Sequence, residues 1–151
     1  MEQTKRIIRL GMPLVLVAIC SILFSFSAIM GGDSFEIYLN NWLVFQQFVT
    51  RQEGVRFLQL DRSLPDGQVI INYSHCGQTG KSRAITIRDL KGHSLKEWHF
   101  PDSDGVNKSM ACNVKDILGL QNSDNPALSL FYSSRELHNG RQLASIIIAD
   151  H

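Results

Sequence analysis

From Asp33 onward the chain is built of short apolar runs with a period of two, cut at short intervals by residues that turn a backbone. Side chains on a strand alternate between its faces, so this pattern commits each run to one buried face. Phe35, Ile37 and Leu39 alternate with Ser34, Glu36 and Tyr38, and Asn40-Asn41 then precedes Trp42-Leu43-Val44-Phe45. Asparagine tolerates positive φ, so a two-residue hairpin is expected there. In that register Leu39 pairs with Trp42 and Ile37 with Val44, on one face with Phe35 and Phe48. Tyr38, Leu43 and Phe45 take the other face.

Further runs follow at Val55–Leu60, Val69–Tyr73, Ala84–Arg88, His93–Phe100, Ala127–Ser133 and Gln142–Ile148. Pro65-Asp66-Gly67 turns the chain by a known division of labour: proline presets φ, aspartate bonds the backbone and glycine supplies positive φ. Asn113-Val114-Lys115-Asp116 reads as the start of a short helix, with Asn113 as N-cap and Val114, Ile117, Leu118 and Leu120 turned to the core. The expectation is an all-β fold: an antiparallel β-sandwich of about eight strands with one short helix, over residues 33–151.

Residues 1–30 differ in kind. Lys5, Arg6 and Arg9 precede an apolar run from Leu10 to Met30. This is the layout of a secretory signal peptide, and 21 residues are also enough to cross a bilayer as an uncleaved transmembrane helix. A lipoprotein reading at Cys20 is opposed by the bulky Ile19 before it. Every version sends the body out of the cytoplasm, since the cations favour a cytoplasmic N-terminus. The expected location is periplasmic, secreted or tethered, with membrane contact only through residues 10–30.

Composition supports a packed body: 44% hydrophobic and 19% charged residues. Past residue 32 the chain carries twelve cations against thirteen anions. That near-neutral body lacks the basic footprint of a nucleic-acid binder.

The densest polar stretch is Tyr73–Arg83, with His75, Cys76, Gly77, Gln78, Gly80, Lys81 and Arg83 between two core runs. His75, Gln78, Lys81 and Arg83 form a candidate binding loop. Gly77-Gln78-Thr79-Gly80-Lys81-Ser82 looks like the tail of a phosphate-binding loop, but His75 stands where the first glycine belongs, and a strand follows instead of a helix. Cys76 and Cys112 are the two cysteines beyond the apolar run. In an oxidising compartment they are expected to form a disulfide. The alternatives are two separate buried thiols, or a metal or thiol site around Cys76, with His75, Cys112, His93, His99 or His138 as ligand types, although none shows C-x-x-C or H-x-x-x-H spacing. No cofactor, metal or catalytic residue is assigned, and the chain reads as a non-enzyme.

The stretch Ser74–Lys81, with Leu39-Asn40-Asn41 upstream and Cys112–Leu118 downstream, resembles small exported proteins of Bacteroidota-type bacteria. The resemblance implies an envelope protein and supplies no catalytic or binding residues. The functional expectation is a non-catalytic module binding an unknown envelope protein through a sheet edge. The alternative is a carbohydrate-binding module in which Trp42, Trp98 or tyrosines stack on a glycan.

Overall fold

The computed structural model describes residues 32–49, 54–102 and 108–149. The expected export or anchor segment, residues 1–30, lies outside them. Among the described residues no helix is long and apolar enough to cross a membrane.

Nine strands and one helix follow in order: β1 (Ser34–Leu39), β2 (Trp42–Phe48), β3 (Arg56–Asp61), β4 (Gln68–Ser74), β5 (Arg83–Arg88), β6 (Ser94–Phe100), β7 (Met110–Asn113), α1 (Val114–Leu118), β8 (Leu128–Ser134) and β9 (Leu137–Ala149). They form two sheets, ordered β2-β1-β4-β7 and β3-β9-β8-β5-β6. Both contribute to one apolar core. Phe35, Ile37, Val69, Ile71, Tyr73 and Met110 enter from the first sheet, and Leu58, Leu60, Ile85, Ile87, Leu130, Tyr132 and Ile146 from the second.

Two features of the strand topology depart from expectation. The described residues form nine strands, because Met110–Asn113 pairs with β4 as a short edge strand. The pairing is also not wholly antiparallel: β3 runs parallel to β9, with Arg56 opposite Ala144 and Asp61 opposite Ala149. β2 and β3 follow each other in sequence but belong to different sheets, so β3 takes its neighbour from the C-terminal strand.

The first hairpin forms where expected. Asn40 and Asn41 adopt φ of 52° and 67°, as a tight two-residue turn demands. Asn40 also ties the turn to β4: its N–H donates to the Gln68 carbonyl, and its Oδ1 accepts from the Gln68 N–H, both at 3.0 Å. Gly67 makes this possible, since a Cβ there would stand 2.5 Å from Asn40 Oδ1. Leu39 pairs with Trp42 as expected, but a bulge between Ile37 and Tyr38 places Phe45, not Val44, opposite Ile37. One extra residue shifts every side chain beyond it to the other face.

Helix α1 buries Val114, Ile117 and Leu118. Asn113 sits at its N-cap without a side-chain bond. Carbonyls of the Pro65-Asp66-Gly67 turn take that role, accepting from Val114 N–H (Gly67, 2.8 Å) and Lys115 N–H (Pro65, 3.0 Å). The turn therefore both reverses the chain and seats the helix.

Candidate functional site

His75, Cys76, Gly77 and Gln78 form a second tight hairpin. His75 N–H donates to the Gln78 carbonyl at 2.7 Å and Gln78 N–H to the His75 carbonyl at 2.9 Å. Cys76 and Gly77 between them adopt φ of 50° and 87°. The turn leaves Cys76 exposed and His75 half-buried.

His75 completes a polar cluster that joins the two sheets. Its Nε2 lies 3.0 Å from both Tyr132 Oη and Ser134 Oγ on β8. Nδ1 lies 3.5 Å from Asp33 Oδ2. With the proton on Nδ1, facing the carboxylate, the single Nε2 lone pair is shared between the two hydroxyls. The same Asp33 oxygen accepts from Tyr73 Oη at 2.8 Å and from Arg141 Nη1 at 3.3 Å, and Arg141 also donates to Tyr73 Oη at 2.6 Å. Beneath this cluster the Tyr73 and Tyr132 rings stack at 4.1 Å. Burial, reinforced by the Asp33 hydrogen bond and opposed by Arg141, holds the Tyr73 phenol well above its ordinary pKa. Burial also raises Tyr132. Both remain neutral donors across the physiological range.

Asp33, His75 and Ser134 have the connectivity of an orienter, base and nucleophile. The surroundings do not serve that chemistry. Ser134 is 5% exposed, and it shares Nε2 with Tyr132. Gly80 closes over the pair: a single Cβ there would meet Tyr132 Oη at 2.5 Å, His75 Nε2 at 2.9 Å and Ser134 Cβ at 2.9 Å. The cluster acts as a clasp between sheets.

The four residues of the expected binding loop separate. His75 belongs to the clasp. Gln78 and Lys81 are exposed, and the Lys81 backbone is pinned to the β8–β9 turn by Glu136 Oε2 (3.0 Å) and Arg135 N–H (2.8 Å). Arg83, read from sequence as a loop cation, is 2% exposed. Its Nη1 donates to the Lys108 carbonyl at 2.8 Å and its Nη2 to the Pro101 carbonyl at 2.7 Å, holding both ends of the segment after β6. Nε has no hydrogen-bond partner among the described residues. These four side chains do not converge on one ligand. Strand β5, not a helix, follows Ser82, so the phosphate-loop likeness ends at sequence.

The expected disulfide is absent: no bond joins Cys76 and Cys112. Cys112 is opposite Val69 on β4. Cys76 lies seven residues beyond Val69, roughly 20 Å along an extended chain, where a disulfide needs Cα atoms within about 7 Å. Burial, with the Asp116 carboxylate adding to it, pushes the Cys112 thiol up to about 12. It behaves as a small core residue.

Among the described residues no three His, Cys, Asp or Glu side chains cluster as a metal site. His93 and His99 contact Asp89 and Glu97, each at 2.9 Å, and His138 is exposed. The tryptophans do not form a shared platform either. Trp42 is on β2 and Trp98 on β6, edge strands of different sheets. Lys96 of β6 pairs with Asp116 of α1 at 3.1 Å, which sets β6 beside the α1–β7 side, away from β2.

The remaining feature is the β2 edge. Trp42 (80% exposed), Phe48 (63%), Leu43 (52%) and Val44 (43%) cluster on seven residues without a charge. No strand among the described residues pairs with the side of β2 that faces away from β1. The other three edges are guarded in ways natural sheets use. β3 carries Arg56 and Asp61 at its two ends, flanking an exposed Phe57 (66%), β6 carries Lys96 and Glu97, and β7 is four residues long and continues into α1. Gln47, buried on the same strand, leaves Oε1 without a hydrogen bond among the described residues.

No family model, curated protein or solved structure matches this chain.

Proposed function

We propose that this chain is an exported envelope protein of the kind its resemblance to small Bacteroidota-type proteins implies, a β-sandwich that binds a protein partner through β2 and has no catalytic role. The observation that carries this reading is the uncharged, apolar β2 edge, which no strand among the described residues pairs. An exposed strand offers a partner a row of backbone donors and acceptors, and alternate side chains give the added strand its specificity. Large exposed apolar patches on small domains mark interaction sites. The basic and apolar residues 1–30 support delivery of the body across a membrane, with residues 10–30 as the membrane contact.

The experiment is a photo-reactive residue placed at Val44 of the full-length chain, with Lys91 in the β5–β6 turn as control, followed by fractionation of the host cells. The expected result is recovery in the envelope fraction, with protein adducts from position 44 and none from 91. Recovery in the cytosol contradicts export. Equal adducts from both positions contradict the edge.

A further inference from the structure

We infer that the occupant of the β2 edge is the β2 edge of a second copy of this chain, so that two four-stranded sheets join into one of eight strands across a two-fold axis. This rests on the interaction reading above and names its partner. A two-fold axis normal to the sheet sets two identical strands antiparallel, the arrangement that lets edge N–H and C=O groups exchange hydrogen bonds across the junction.

Charge is the first argument. Trp42-Leu43-Val44-Phe45-Gln46-Gln47-Phe48 holds no ionisable side chain. Identical charges brought opposite each other destabilise a strand pair, and a neutral strand meets its own copy without that cost in any register. Partners with acidic or basic edges gain nothing from β2. The guarded edges β3 and β6 of the same protein illustrate what it does not accept.

Area is the second. At about 150–250 Å² per aromatic side chain, the exposed parts of Trp42 and Phe48 hold on the order of 300 Å² per copy. Leu43, Val44 and the strand backbone add to this. Two copies then bury on the order of 1,000 Å² in total, the lower bound of a specific interface. The association is therefore of moderate strength and favoured where residues 10–30 concentrate the chain at a membrane.

The test uses the full-length chain in non-ionic detergent, with sedimentation velocity and photo-cross-linking from position 44 in a mixture of light and heavy-isotope protein. The expected result is a concentration-dependent dimer, with mixed-isotope adducts that map to residues 42–48. Leu43→Lys and Val44→Lys should each weaken the dimer at least about 30-fold, as loss of a central contact does, while leaving denaturant unfolding of the monomer unchanged. A chain that stays monomeric up to about 100 μM, the weak end of specific association, overturns the proposal. So does a dimer that survives both lysines, or adducts confined to residues 10–30. A monomer whose position 44 cross-links one other envelope protein overturns the second copy and leaves the edge reading standing. Absence of any adduct overturns both.

Discussion

Tyr132→Ala is expected to lower the free energy of unfolding by about 3–5 kcal/mol, the range for truncating a buried aromatic side chain. Three contacts are lost together. The ring is fully buried and stacks on Tyr73 at 4.1 Å, and Oη is one of two hydroxyls on His75 Nε2. Tyr132→Phe removes the hydroxyl alone, leaves Ser134 on Nε2, and should cost about 1 kcal/mol. Chemical denaturation of the two variants separates packing from hydrogen bonding. Phe48→Ala is the control: its ring is exposed on β2, so it should change stability by less than about 0.5 kcal/mol. A Tyr132→Ala loss no larger than that of Tyr132→Phe would mean that the stack does not hold the sheets together.

Gly80→Ala should cost about 2–3 kcal/mol, although replacing glycine by alanine usually stabilises a compatible backbone by about 0.4–1 kcal/mol. The sign reverses here because the added Cβ would stand 2.5 Å from Tyr132 Oη and 2.9 Å from both His75 Nε2 and Ser134 Cβ. Overpacking of this kind displaces buried groups that have nowhere to go. Tyr132→Phe removes the nearest of the three atoms, so the double variant should lose less than the sum of the two single changes. Additive losses in the denaturation cycle would contradict this packing.

Much of the architecture was legible in the chain because it is local. The alternation of Phe35, Ile37 and Leu39, the Asn40-Asn41 turn and the Pro65-Asp66 turn each act within a few residues and appear where expected, but Gly67 does not adopt the positive φ expected of it and serves the close approach of Asn40 instead. What sequence could not supply depends on non-local partners. β7 escaped notice because Met110-Ala111-Cys112-Asn113 lacks the β-branched residues that announce a strand, and its place is set by pairing with β4. The same pairing fixes Cys112 far from Cys76, whereas cysteine counting carries no distance. The clasp gathers Asp33, Tyr73, His75, Tyr132, Ser134 and Arg141 from both ends of the chain, and only His75 was singled out in sequence, as part of the polar stretch between two core runs. Arg83 looked like a loop cation because its carbonyl partners, Pro101 and Lys108, are 18 and 25 residues away. An edge strand and a central strand can share one alternation pattern, so the open side of β2 emerged only from the order of the sheets.

The most direct measurement of the central claim is amide hydrogen exchange across β2 in the full-length chain, at concentrations where it assembles. The β2 amides that are not bonded to β1 are expected to be protected in the assembly, and to exchange freely once Leu43→Lys disperses it. Unprotected outer amides in the assembled protein, with β1 and β4 protected as usual, would contradict a β2 edge that is completed by a partner strand.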